Sequence, residues 1–247
     1  MINLIRNFID SKVLSENSKR AYFYDLQQFV TLVDGKVTEE KLALYEQSLL
    51  SLTISAKKRK ISAVNQFLYF MYQQEKVDRF YKLQNKDKLP MQAVTSKILD
   101  LSLLYQPHLD KEGQVIALLI LELGLTPAEI RQLTSASIDV NFAIMTLQKD
   151  GIRRVLKISQ ELLGFIEGLL IEKQTYLFDN NDKVYSRQWY FNHLKQFLRA
   201  LGYDRLTAQV LREQYILRQV TSGKSLIEIS RNLGLKSPVT LEKYYKK

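Results

Sequence analysis

The chain has 247 residues, with 36 Lys plus Arg against 26 Asp plus Glu, a net charge of +10 with both histidines neutral. At about 150 residues per domain this length predicts one large or two modest domains, and the 46% hydrophobic content excludes a disordered chain. The absence of cysteine excludes disulfides, thiolate catalysis and thiolate metal sites, and two histidines leave little scope for zinc, so neither a metal nor another cofactor is expected.

The longest apolar run, Val115 to Leu121, stops at Glu122, far short of the ~20 residues of a membrane span. The start, MINLIRNFIDSK, lacks the apolar core and small-residue cleavage site of a signal peptide, and a cytoplasmic protein is expected. So large a positive charge points to a polyanionic partner. Residues 1–90 hold 15 basic and 10 acidic side chains and the remainder 21 and 16, so each part carries +5. Charge spread over both parts favours double-stranded DNA gripped by two domains over an anionic membrane surface, with a merely basic solvated surface as the plain alternative.

In chain order, the first third reads as helices. Ile5, Phe8 and Ile9 form one apolar stripe; Tyr22, Leu26, Phe29, Val30 and Val33 a second; Ile61, Val64, Phe67, Leu68 and Met71 a third, all at spacings of three and four. Thr38 to Leu50 adds a shorter helix. Gln84 to Pro90, QNKDKLP, is polar, aperiodic and closed by proline, which predicts a linker at 84–90 between a domain at 1–83 and another at 91–247. The second domain is again mainly helical, except from Phe142 to Ile158, where two extended runs flank Asp150-Gly151. That pair favours a two-residue hairpin turn, with Lys149 at its tip. Further helices are predicted at Ser159–Lys173, Ser186–Leu201, Thr207–Thr221, Ser225–Leu233 and Pro238–Tyr245.

Four features bear on chemistry. Between Gln47 and Gln74 there is no acidic residue, while Lys57, Lys58, Arg59 and Lys60 fall in the expected first turn of a helix capped by Ser55. Cations there oppose the helix dipole, a penalty that an adjacent DNA phosphate would reverse; the alternative is a solvated face. Around the hairpin tip, Lys149, Arg153, Arg154 and Lys157 face only Asp150. Such a tip fits a DNA groove, or is a charge-protected sheet edge. Gln209, Arg212 and Glu213, at i, i+3 and i+4, share one helix face. Finally, SLIEISRNLGLKSPVTLEKYYKK reads as helix, Leu-Gly turn and second helix, a helix-turn-helix pattern.

Five segments in order resemble one family, the tyrosine site-specific recombinases of the phage integrase type, and within them the bacterial Xer type. LSENSKRAYFYDLQQF from Leu14 resembles the start of their core-binding domain, and GLTPAEIRQLTSASID from Gly124 their G-L-R-x-S-E-L segment. QKDGIRR from Gln148 is similar to their G-K-G-x-K-x-R hairpin, LTAQVLREQY from Leu206 to P-H-x-L-R-H, and LGLKSPVTLEKYY from Leu233 to the stretch ending in the nucleophilic tyrosine. The resemblance implies a mainly α fold: an N-terminal four-helix, SAM-like core-binding domain and a C-terminal catalytic domain with a small hairpin, closing as a clamp on DNA. It also implies a tyrosine that attacks the scissile phosphate, leaving a 3′-phosphotyrosyl link that a 5′-hydroxyl later displaces.

By the same resemblance Lys149 falls on the general-acid lysine, Arg212 on the second phosphate-clamping arginine, and Tyr244 on the nucleophile, with Tyr245 one residue away. Four positions depart from the pattern. Thr126 stands where the first arginine belongs, Gln209 and Glu213 where histidines belong, and Leu235 where a histidine or tryptophan follows Leu-Gly. An arginine that stabilises phosphoryl-transfer charge is worth roughly 10³ to 10⁵ in rate in other enzymes, and threonine supplies none of that charge. Arg131 is five residues past Thr126 and points elsewhere on a helix; Arg153, Arg154 and Arg231 are the other cations within reach in sequence. His108 and His193 are expected to be structural.

The expectation is therefore a recombinase fold with absent or severely weakened strand cleavage, binding double-stranded DNA and either assisting another recombinase or DNA-associated protein, organising the chromosome or acting as an architectural factor. Two other readings stay open: an active recombinase working through Tyr244, and a transcriptional regulator reading DNA through Ser225 to Tyr245. Because the sequence stops at Lys247, soon after the tyrosine, the C-terminal segment that family members exchange is expected to be short, and monomeric binding is expected.

Overall fold

The computed structural model describes residues 1–84, 97–149, 151–171 and 173–245. The backbone divides into two compact units, Met1–Gln92 and Ala93–Lys247. The linker expected at 84–90 falls, beyond Gln84, outside the described residues.

The first unit is built from α1 (Ile2–Asp10), α2 (Glu16–Val33), α3 (Glu39–Ser48) and α4 (Ile54–Gln73). Each helix buries the stripe that its sequence spells: Ile5, Phe8 and Ile9 from α1; Leu26, Phe29 and Val33 from α2; Leu42 and Tyr45 from α3; Ile61, Val64, Phe67, Leu68 and Met71 from α4. Phe8 meets Phe67 edge-on at 5.5 Å and Phe29 meets Tyr45 at 5.0 Å, the geometry that aromatic quadrupoles favour. Ser15 and Thr38 cap α2 and α3 by accepting a backbone N–H three residues on.

Two expectations for the basic run are corrected here. The cap of α4 is Thr53, which accepts from the Ala56 N–H, rather than Ser55. The helix thus starts earlier: Lys57 closes its first turn, and Lys58 to Lys60 lie beyond it, where the dipole penalty has faded. The run is also not free of carboxylates, because α2 supplies one. Asp25 is only 3% exposed, and its two oxygens accept from Arg59 Nη1 and, at 3.0 Å, from Lys60 Nζ. Lys60 also donates to Gln28, and its side chain is only 12% exposed, so it belongs to the α2/α4 packing rather than to an open cationic face.

The second unit is organised around α5 (Lys111–Leu123), in which every residue from Gly113 to Leu121 is buried. A helix apolar all round is a core helix, and α7 (Gln160–Glu167), α8 (Arg187–Ala200) and α9 (Ala208–Thr221) pack on it, joined by the short α6 (Pro127–Arg131). An antiparallel sheet of order β1-β2-β3 lies beside them, with β1 (Ile138–Asp139), β2 (Ile144–Lys149) and β3 (Ile152–Lys157). Pairing runs from Ile144 opposite Lys157 to Lys149 opposite Ile152. Gly151 takes φ +79° in the two-residue turn, the conformation for which glycine suits that position; Asp150 lies outside the described residues. The two-residue β1 carries too little pattern for sequence reasoning to find.

The end of the chain forms α10 (Leu226–Asn232), a turn at Gly234 and a 3-10 helix at Pro238–Tyr244. Leu241 of the 3-10 helix is buried with Tyr215, Ile216, Ile229 and Leu233. This departs from the helix-turn-helix expectation: the second element is not an α-helix, and it turns its apolar side chain inward against α9 and α10. Among the described residues no helix is long and apolar enough to cross a membrane.

Candidate DNA-processing site

Arg212 is the centre from which the site is read. Thr207 caps α9 and starts the helix so that Gln209, Arg212 and Glu213 share a face. Half-buried, Arg212 donates from Nε to the Gly124 carbonyl at 2.8 Å. Gly124 ends α5 at φ +65°, and a Cβ there would lie 2.6 Å from Tyr215 and from Leu233, so only glycine allows this approach. Burial lowers the guanidinium pKa; Glu129 opposes that, while Arg154 adds to it. On the same face, Gln209 Nε2 donates to Glu213 Oε1 at 2.9 Å.

Thr126, where the resemblance expects an arginine, is the N-cap of α6. It forms a capping box: its N–H and Oγ1 both donate to Glu129 Oε2 at 2.8 Å, and its Oγ1 accepts from the Glu129 N–H at 3.3 Å. The other carboxylate oxygen of Glu129 accepts from Arg154 Nη2, and Arg154 Nη1 donates to the Asn232 carbonyl at 2.6 Å. Glu129 is thus fully engaged, and both partners of the ion pair are buried.

Arg154 therefore differs from the exposed DNA-contacting cation expected of it. In β3 the side chains alternate, with Arg154 and Leu156 inward and Arg153, Val155 and Lys157 outward. Arg153 is exposed at the mouth of a cleft of about 660 Å³ also lined by Gln132, Thr134, Ser137 and Gln148. Lys149 closes β2, and its side chain lies outside the described part of the molecule.

The two tyrosines have different surroundings. Tyr244 is half-buried, and its phenol is pushed up to about 12, first by burial and then by Glu213, with Arg212 pulling the other way. Tyr245 is 38% exposed and donates to the Lys224 carbonyl at 2.6 Å, with burial and then Glu228 raising its pKa. At a pKa near 12 only about one Tyr244 in 10⁵ is ionised at pH 7. The raised pKa has a stability consequence with a definite sign: the preference for the neutral phenol stabilises the fold fully below pH ~10 and is lost as pH rises through about 12. In a difference titration at 295 nm, Tyr244→Phe is expected to remove one phenol ionising near that value; removal of a phenol ionising near 10 would contradict it.

Leu235 packs against the cluster around Tyr215 and Leu233, and Arg231 is exposed. Arg131 lies in the field of Tyr190 and, among the described residues, its Nε has no hydrogen-bond partner. His108 packs edge-on against Phe197 at 5.0 Å, and His193 bonds Asp110 through Nδ1 at 2.9 Å while its ring lies tilted against Trp189 at 4.1 Å. Both histidines thus serve the α5/α8 packing. Sequence reasoning missed Glu129, and it placed Arg154 among the DNA-contacting cations rather than in a buried ion pair. The Thr126-x-x-Glu129 spacing was the available signal for the first, and the period-2 burial of β3 for the second.

Comparison with solved structures defines the fold class as that of the tyrosine recombinases. The Tn1549 transposon integrase in complex with transposon right end DNA matches with TM-score 0.72 at 12% identity, covering 100% of this chain and 94% of that one. The XerH recombinase bound to difH in a pre-cleavage complex matches at TM-score 0.71 and 16% identity, covering 94% and 76%. No family model matches the chain. It is 51% identical over 246 residues to the "Tyrosine recombinase XerD-like" of Streptococcus mutans serotype c, and 50% identical over 246 residues to the protein of that name from Streptococcus agalactiae serotype Ia, each alignment covering 100% of both chains. The chain belongs to the XerD-like tyrosine recombinases.

Proposed function

We propose that this chain binds double-stranded DNA and acts in DNA recombination, with strand cleavage absent or severely weakened. The observation that carries the reading is the Gln209/Glu213 pair: a carboxylate in the field of Tyr244, where the resemblance expects a histidine. Second to burial, it raises the pKa of the phenol further, and it adds negative charge beside any phosphate that Arg212 would bind. Thr126, occupied as a helix cap, supplies no cation in compensation. In this reading Arg212 contacts the phosphate, Tyr244 is the vestigial nucleophile and Lys149 the vestigial acid. Arg153, Lys57, Lys58 and Arg59 contact the DNA backbone, the units expected at 1–83 and 91–247 enclose the duplex, and a competent recombinase is the partner it assists. That the XerH and Tn1549 structures are complexes with difH and with transposon right end DNA supports DNA as the ligand.

A fluorescent duplex nicked near a recombination site tests both halves of the proposal, with mobility shift at two salt concentrations and a denaturing gel for covalent protein. Tight, salt-sensitive binding without an adduct is expected. The second reading, an active recombinase, is favoured by Arg212 and Tyr244 sharing one electrostatic environment. An adduct lost in Tyr244→Phe would establish it and overturn the first.

A further inference from the structure

Arg154 joins its own strand to two segments that are far from it in sequence. It is 6% exposed, sits in β3, and its two terminal nitrogens go to Glu129 of α6 and to the carbonyl of Asn232, the last residue of α10. The last carbonyls of a helix have no partner within it and carry the negative end of its dipole, so a buried cation is favoured there. The Arg154 side chain also lies close against Gly234, where a Cβ would sit 3.0 Å from its Nε and Cζ. Gly234 at φ +62° makes the turn from which the chain proceeds to the 3-10 helix bearing Tyr244.

We infer that Arg154 is a positioning residue that couples the hairpin and α6 to the Asn232–Leu235 turn, so that displacement at one end is felt at the other. A single planar fork is required for this, because one donor must satisfy the carboxylate while the other holds the carbonyl. A lysine supplies the charge for Glu129 from a single nitrogen, without the second nitrogen that the fork holds on the Asn232 carbonyl. The inference concerns the fold's internal coupling; its relevance to DNA rests on the function proposed above.

The test is amide hydrogen exchange on the full chain without DNA, followed by duplex binding. Arg154→Lys is expected to speed exchange about tenfold at Leu233, Gly234 and Leu235, whose N–H groups bond Ile229, Arg231 and Ser230, while amides of α4 stay unchanged. Acceleration confined to β3, or spread evenly over residues 97–245, would overturn the coupling. Gly234→Ala supplies the reciprocal probe, pressing on the guanidinium from the turn. It is expected to speed exchange in β2 and β3, whereas a purely local effect of backbone strain would leave the hairpin unchanged and refute the inference. Duplex affinity is expected to fall several-fold in Arg154→Lys. If the parent chain itself fails to bind DNA, the proposed function falls, while the exchange results still decide the role of Arg154.

Discussion

The combined variant Thr126→Arg, Gln209→His, Glu213→His is expected to form covalent adduct on a nicked duplex on the order of 10³-fold faster than the parent chain. Three physical changes act together. An arginine at 126 returns the cation that offsets charge on the phosphorane-like transition state. Removing Glu213 takes away one of the two causes that hold the Tyr244 phenol near 12, and the histidines provide groups able to move protons near neutral pH. The gain has a structural cost, since Thr126→Arg loses the hydroxyl that caps α6, about 1 kcal/mol for a typical N-cap, and with it one of the two donors to Glu129 Oε2, the backbone N–H of residue 126 remaining. A folded triple variant that binds the duplex yet gives no adduct would show that the missing groups are not what limits cleavage.

Arg154→Met is expected to destabilise the C-terminal unit by about 3–5 kcal/mol, read from urea unfolding, because it strands a buried carboxylate without its cation. Glu129 is 8% exposed and cannot turn to water without opening the α6 cap that it completes. Neutralising the partner should recover much of the loss: Glu129→Gln in the Arg154→Met background is expected to be more stable than Arg154→Met alone. A loss below about 1 kcal/mol in the single variant would mean that solvent reaches the pair and that its burial contributes little. Arg153→Met, one residue away but outward-facing, is the control, and it should change stability by less than about 0.5 kcal/mol.

The helical stripes were legible because burial at spacings of three and four is local information: Phe67 and Leu68 of α4 and Leu26 and Phe29 of α2 lie in the core as the pattern demands. The hairpin was legible for the same reason, since Asp150-Gly151 prescribes its own turn. What sequence could not supply was the partner that arrives from elsewhere in the chain. Asp25 lies more than thirty residues before Arg59 and Lys60 and still pairs with both, offsetting one of their two charges, so a window empty of acids was a poor guide to a free cationic surface. Arg153 and Arg154 look interchangeable in a list of charges and differ only through the alternation of β3. Tyr244 and Tyr245 were inseparable by counting. Their surroundings differ because the 3-10 helix turns one toward Arg212 and Glu213 and the other toward Lys224.

The buried α5 also sets a problem of timing during synthesis. Its run from Val115 to Leu121 is covered in the folded unit partly by α9, which begins at Ala208, about 85 residues after α5 ends at Leu123. At the usual pace of ~5–20 residues per second, the ribosome needs ~4–17 s to make that interval. For those seconds the most apolar of the described helices lacks the part of its covering layer that α9 supplies. That makes the Val115–Leu121 segment the stretch of the nascent chain at which a chaperone is expected to bind.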